Sequence, residues 1–236
     1  MRLVFCALSI RPMSLPPPPP ALPRVATAGD LHEHDLRRRV KRELRKRLRG
    51  LRGTTPIEAC LERSTRIIQN VEALDAIKNA RSVALFWPIV ARHEVDLRLL
   101  DASLRSRGVR VAYPAITPST EPETEPNRMT FRFVDDVSTL EERGFGFGEP
   151  ALDAAPVSDD LSELDVVVVP ALALDPTGHR IGYGAGYYDR ATAGTRVVKV
   201  GVIFDFQLVS EVPVTEGDVP VDWIVTDART LRATPA

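Results

Sequence analysis

Cysteine is nearly missing from this chain of 236 residues: Cys6 and Cys60 are its two thiols, with no C-x-x-C spacing. That excludes a disulfide framework and points to a reducing compartment, so a cytoplasmic location is expected. Long apolar runs are missing as well. None approaches the roughly 20 residues that a membrane-spanning helix needs, so no membrane association is expected. Nor is there an excess of charge of one sign, since 31 basic residues face 32 acidic ones for a net charge of -1. A globally basic nucleic-acid binder is thereby disfavoured, and no nucleic-acid partner is expected. What is present, 44% hydrophobic and 27% charged residues, suffices for a packed core.

Proline is abundant instead, with twenty residues against fourteen glycines. Pro16 to Pro20 form an unbroken run that neither helix nor sheet accepts. Residues 1–30 are therefore expected to be a flexible Pro-rich leader, and residues 31–236 the folded domain. The leader carries arginines and no acid as far as Gly29, which leaves organellar import open.

Beyond the leader, Leu36, Val40, Leu44, Leu48 and Leu51 recur at helical spacing and predict an apolar stripe facing the core. A second helix is expected over 56–76, with Thr55 as N-cap, and another over 94–107 ending at Gly108. Strands are expected at 82–87, 109–113, 129–134, 165–169, 197–204 and 223–226. Prolines 88 and 114 stop two of them. Asp165-Val-Val-Val-Val169 reads as a central strand buried on both faces. This alternation predicts an α/β fold: a single domain with a mostly parallel central sheet flanked by helices. Ligands of such sheets collect at the carboxyl ends of the strands.

Arg37 to Arg52 holds ten basic residues against the single acid Glu43. A solvated helix surface would explain it, and so would an anionic partner. No aromatics interleave with these charges, which disfavours single-stranded nucleic acid.

The segment Arg180-Ile181-Gly182-Tyr183-Gly184-Ala185-Gly186-Tyr187-Tyr188-Asp189-Arg190 is the most informative. Glycines at alternate positions let backbone N–H groups approach an anion, and a helix is expected to start at Tyr187. Arg180 and Arg190 suit phosphate oxygens. Asp189 suits a cation such as Mg²⁺ bridging to them. The G-x-G-x-G spacing is neither a Walker loop nor a Rossmann fingerprint.

This segment closely resembles the signature of the 5-formyltetrahydrofolate cyclo-ligase family. Further matches follow in order: Gly144-Phe145-Gly-Phe-Gly-Glu149-Pro150, then Val200-Gly-Val-Ile-Phe-Asp-Phe-Gln207-Leu208, then Val212-Pro213 with Asp218 to Asp222 and Val225-Thr226. The resemblance runs from about Leu36 to Asp227. It implies two small-molecule substrates, ATP and 5-formyltetrahydrofolate, with Mg²⁺ as cofactor. The product would be 5,10-methenyltetrahydrofolate, formed through phosphorylation of the formyl oxygen. It further implies ATP binding by Arg37, Arg38 and Lys41 of the basic helix, and by the loop residues Arg180 to Tyr188 with Arg190. Metal binding falls to Asp189 and Asp218, and folate binding to Phe86, Glu94, Phe145 and Tyr187. Arg180 and Tyr187 are the candidate catalytic residues. Ala185 stands where relatives carry lysine or glycine, and Glu94 follows Phe86-Trp-Pro88 at a longer gap than the family's pattern. A simple first-turn helix acid remains the other reading of Glu94, and a turn residue that of Asp218. A monomer is expected. Two alternatives stay open: a catalytically lapsed nucleotide-binding relative, and a protein that binds nucleic acid or an anionic surface through the basic helix.

Overall fold

Valine dominates the middle of the sheet, and its alternation decides how the layers stack. The computed structural model describes residues 28–121, 124–144 and 146–234, with side chains from residue 35. The Pro-rich run and most of the expected leader lie outside the described residues, as does Phe145. Seven strands form one sheet: β1 (Ser82–Ala84), β2 (Arg110–Thr117), β3 (Arg128–Phe133), β6 (Val166–Pro170), β9 (Val198–Val202), β10 (Trp223–Val225) and β11 (Thr230–Arg232). Two short hairpins, β4 (Glu141–Glu142) with β5 (Gly148–Glu149) and β7 (Ala173–Leu174) with β8 (Arg180–Ile181), stand outside it.

The spatial order is β11-β10-β9-β6-β1-β2-β3. The five inner strands are parallel and both edge strands antiparallel. The winding direction reverses between β1 and β6, which opens a crevice at their carboxyl ends. In β6, Val166 and Val168 pack on one face and Val167 and Val169 on the other. The first face is covered by α2 (Ile57–Glu72) and α4 (Arg98–Ser106), through Ile67, Val71, Leu100 and Leu104. The second is partly covered by Tyr187, Tyr188 and Ala191 of α5 (Tyr187–Thr192). Burying each large aliphatic side chain contributes roughly 1.5–3 kcal/mol. The expected α/β architecture with a mostly parallel central sheet is therefore the observed one.

Besides β1 ending at Ala84, short of Pro88, and α4 starting at Arg98 rather than at residue 94, local expectations were revised in four places. Pro114 does not stop a strand but sits inside β2. There β1 pairs only with residues 110–112, so Pro114 faces no partner on that side and its missing N–H costs no ladder bond. Thr55 does not cap α2: its hydroxyl bonds back to the Leu51 carbonyl, and Pro56 occupies the cap. The helix expected to 76 ends at Glu72, and a single turn, α3 (Asp75–Lys78), follows. Gly108 does close α4, at φ +75° with its N–H on the Arg105 carbonyl.

The fourth revision concerns α1 (Ala28–Gly53). Its predicted stripe faces the core only in part: Leu48 is buried and Leu44 half-buried, whereas Leu36 and Leu51 are 53% and 46% exposed and Val40 is exposed too. The contact face instead carries Lys41, Arg45, Leu48 and Arg52, with Lys41 6% and Arg52 4% exposed. These four recur at i, i+4, i+7 and i+11, a narrow arc of the helix. The surface under them presents carbonyl oxygens and carboxylates, so cationic side chains satisfy it where leucines could not.

Candidate active site

The segment leading into the glycine loop is fixed by its own hydrogen bonds. Just upstream, the turn between β7 and β8 is organised by buried Asp175. Its Oδ1 accepts from the N–H groups of Thr177 and His179 at 3.0 and 3.1 Å, and its Oδ2 from Val212 N–H at 2.8 Å. Gln207 holds the start of the same segment through the Leu172 carbonyl at 2.8 Å.

The loop proper, Gly182 to Gly186, turns its first two carbonyls toward α1. Arg45 Nε donates to the Gly182 carbonyl at 2.9 Å, and Arg49 Nη2 to that of Tyr183 at 3.3 Å. In a planar trans peptide the N–H points opposite to the C=O, so the amides of Tyr183 and Gly184 face away from the helix. Among the described residues, no N–H from Gly182 to Gly186 donates to a protein acceptor. Gly184 (φ +113°) and Gly186 (φ +67°) adopt backbone conformations that side chains resist. Arg190 closes the loop by donating to the Ala185 carbonyl at 2.7 Å, with its guanidinium over the Tyr187 ring.

Charged groups converge on this loop. Arg180 donates to Asp189 Oδ1 at 2.9 Å and to the Val219 carbonyl at 3.2 Å, and the same Asp189 oxygen accepts from Val219 N–H at 3.0 Å. Lys41 hydrogen-bonds Asp218 and, at 2.8 Å, Thr215 Oγ1. Burial pushes the Asp218 carboxyl up, but hydrogen bonds from Lys41 and Thr215 outweigh it and hold the group below its ordinary 3.8. Burial, with Arg49 close by, lowers the pKa of Arg45, and Asp218 opposes this in part.

A second cluster lies against the first. Glu94, 8% exposed, accepts Ile89 N–H on Oε2 at 2.9 Å and the Tyr183 hydroxyl on Oε1. Arg52 donates to the Tyr183 hydroxyl and stands 3.7 Å from Glu94 Oε1. Burial, reinforced by the Glu94 charge, pushes the Tyr183 phenol up to about 12. Glu94 precedes α4 by four residues, so it is not a first-turn helix acid.

Between these groups and the sheet lies a cavity of about 1100 Å³ at the carboxyl ends of β1, β2 and β6. Its mouth is cationic, with Arg38, Lys41, Arg45, Arg180 and Arg190. Its inner wall is apolar and aromatic, with Phe86, Trp87, Ile116, Met129, Phe147 and Tyr188. Pockets for small ligands run to roughly 300–1000 Å³, so this cavity lies at the large end of that range.

Most sequence-predicted site residues line this one cavity: Arg38, Lys41, Phe86, Glu94, Arg180, Gly182 to Tyr188, Asp189, Arg190 and Asp218. Arg37 does not line it; its guanidinium reaches the Val214 carbonyl at 2.7 Å. The Ile181 side chain is core, packed with Leu48 and Leu172. Phe145 falls outside the described residues. Sequence reasoning missed Arg45, whose signal was its i+4 spacing from Lys41, and Phe147, which shares a motif with Phe145. Ile116 and Met129 carried no signal beyond that of ordinary strand residues.

Among the described residues no cluster of three or more His, Cys, Asp or Glu side chains could hold a metal. Asp189 and Asp218 nevertheless fit Mg²⁺ arriving with a polyphosphate. Both line the cavity, and among the described residues none donates a hydrogen bond to Asp189 Oδ2 or Asp218 Oδ1. Mg²⁺ commonly takes one or two carboxylates and completes its shell with water and phosphate oxygens.

Fold and cleft together define a doubly wound α/β protein with a cation-rimmed, aromatic-walled ligand crevice at its topological switch point. The chain belongs to the 5-formyltetrahydrofolate cyclo-ligase family, whose profile matches residues 37–227. It is 33% identical over 153 residues to the 5-formyltetrahydrofolate cyclo-ligase of Escherichia coli K12, a match spanning 64% of this chain and 80% of that one. The Haemophilus influenzae 5-formyltetrahydrofolate cyclo-ligase is 28% identical over 184 residues, 77% of this chain and 94% of its own. Among solved structures, the Aquifex aeolicus 5,10-methenyltetrahydrofolate synthetase superposes with a TM-score of 0.69 at 30% identity, over 84% of this chain and 94% of that one.

Proposed function

We propose that the protein cyclises 5-formyltetrahydrofolate to 5,10-methenyltetrahydrofolate at the expense of ATP, releasing ADP and phosphate. The observation that carries this reading is the row of undonated loop amides at the cationic mouth of a cavity with an aromatic wall. Such a site takes a polyphosphate at one end and a flat heterocycle at the other.

The chemistry needs activation because a formamide oxygen is a poor leaving group. The formyl oxygen attacks the γ-phosphorus of ATP, the bond to the bridging oxygen breaks and ADP leaves. N10 then attacks the resulting imidoyl phosphate carbon, loses its proton, and inorganic phosphate departs with the former formyl oxygen. In this scheme the amides of Tyr183 and Gly184 hold phosphate oxygens, and Lys41, Arg45 and Arg180 neutralise their charge. Phe86, Trp87 and Met129 position the pterin and keep water from the imidoyl phosphate. Mg²⁺ held by Asp189 and Asp218 would supply further charge neutralisation between phosphate oxygens.

The test is direct. Protein with MgATP and 5-formyltetrahydrofolate should generate the methenyl chromophore with one phosphate released per turnover. Nucleotide binding without product would favour the lapsed relative instead. Binding of nucleic acid that weakens steeply with salt, with no turnover, would favour the basic-helix alternative.

A further inference from the structure

Tyr183 sits between two glycines of the anion loop, yet its side chain leaves the loop. The phenol donates to Glu94 Oε1 and accepts from Arg52. Three segments that wall the cavity therefore meet at one oxygen: α1 through Arg52, the glycine loop through Tyr183, and the β1–α4 connection through Glu94. The ring itself is gripped, with the guanidinium carbons of Arg49, Arg52 and Arg92 5.2 to 5.7 Å from its centre. Both Glu94 oxygens are engaged, the second by Ile89 N–H, so the carboxylate cannot reorient unless the phenol lets go.

We propose that Tyr183 is a positioning residue that couples the two halves of the cavity, its hydroxyl transmitting the state of the anion loop to Glu94. This rests on the function proposed above, with the nucleotide phosphates on the loop and the folate beside Glu94. A phosphate that fixes the loop backbone at 182–184 fixes the Tyr183 ring, and through it the Glu94 carboxylate. Folate then meets a Glu94 already ordered, so nucleotide and folate bind with positive and reciprocal coupling.

Tyr183→Phe isolates this link. It keeps the ring under its guanidiniums and lets Arg52, already 3.7 Å from Glu94 Oε1, pair with that carboxylate directly. Glu94 stays tied to α1 and loses its tie to the loop. The experiment measures the affinity of 5-formyltetrahydrofolate with and without a non-hydrolysable ATP analogue and Mg²⁺, in the native protein and the variant. The native protein should bind folate about fivefold or more tightly with the analogue present. In Tyr183→Phe the ratio should fall to about one, whatever change either affinity shows alone. By reciprocity, folate should lose the same factor in its effect on the analogue. A purely structural role would weaken both ligands alike and leave the ratio intact. Should Tyr183→Phe fail to fold, Tyr183→Met is read in the same way. A native ratio of one, or a variant ratio equal to the native one, overturns the inference while turnover stands. Native protein that binds neither ligand and makes no methenyl product overturns both this inference and the proposed function.

Discussion

Lys41 and Asp218, 177 positions apart, form an ion pair that fastens α1 to the rim of the cavity. Both groups are largely buried, and Thr215 shares in the contact through its N–H and its hydroxyl. Similar polar ties follow along the same helix face, from Arg45 to the Gly182 carbonyl and from Arg52 to Tyr183. The helix is therefore held by charge and hydrogen bonds, with Leu48 and half-buried Leu44 as its apolar contacts. That makes its attachment sensitive to pH and to single charge deletions in a way an apolar helix would not be.

Lys41→Met should expose this dependence. The variant leaves the Asp218 carboxylate with Thr215 alone, costing about 1–3 kcal/mol of stability. It should also raise the KM for ATP about tenfold, equivalent to ~1.4 kcal/mol of lost phosphate interaction. The Asp218 pKa is depressed, so its stabilisation is present above 3.8 and is lost as pH falls through the lower folded value. Without Lys41 the pKa rises from its native value, and the acid transition followed by circular dichroism should begin at higher pH than in the native protein. An unchanged transition would mean that the pair contributes nothing to the fold.

Asp189→Asn separates charge from architecture. The amide oxygen can still accept Val219 N–H, but the ion pair with Arg180 and one of the two carboxylates proposed for Mg²⁺ are gone. Turnover should fall by about 10²–10³, the scale of a lost electrostatic group at a reacting centre. The unfolding free energy should fall by only about 1 kcal/mol. Steady-state kinetics over a Mg²⁺ series, beside urea denaturation, checks both halves. Native-like turnover would remove Asp189 from the metal assignment.

The layers of this fold were legible because β6 is a run of valines and the helices flanking it carry clear apolar periodicity. Boundaries such as Pro114 were not, because whether a proline interrupts a strand depends on how far its neighbour's pairing extends. For α1 the stripe of Leu36, Val40 and Leu51 misled. Hydrophobic spacing assumes an apolar counter-surface, whereas this helix packs on carbonyls and carboxylates contributed by residues 94, 182–183 and 218. The glycine loop was legible by its composition, but the role of Tyr183 toward Glu94 was not, since nothing local ties two residues 89 positions apart.

Gly178→Ala tests the foundation of the loop without touching the cavity. Gly178 turns the β7–β8 hairpin at φ +87°, and an added Cβ would lie 2.4 Å from the Val221 carbonyl oxygen. Backbone strain and overlap with a main-chain atom should together cost about 2–4 kcal/mol. The thermal midpoint should fall accordingly, and the soluble fraction at low temperature should retain measurable turnover. Native stability would mean that the hairpin and Val221 can move apart freely.

Alkaline unfolding should report the buried phenols. The Tyr183 pKa is raised from 10.0 to about 12, by burial first and the Glu94 charge second. Tyr113 is raised as well, by burial and by Asp101, whose carboxylate accepts its hydroxyl at 2.8 Å. A raised folded pKa means the stabilisation is whole below pH 10 and drains away as pH climbs through the folded value, because the unfolded phenol ionises first. Tyr113→Phe should cost about 1 kcal/mol at pH 8 through the lost hydrogen bond. That deficit should shrink as pH rises from about 8 to 11, since the variant has no phenol there to keep protonated. Urea midpoints for native and variant proteins at matched pH isolate the effect from lysine titration, which both share. A deficit that stays constant across the series would show that Tyr113 ionises as freely in the fold as in the unfolded chain.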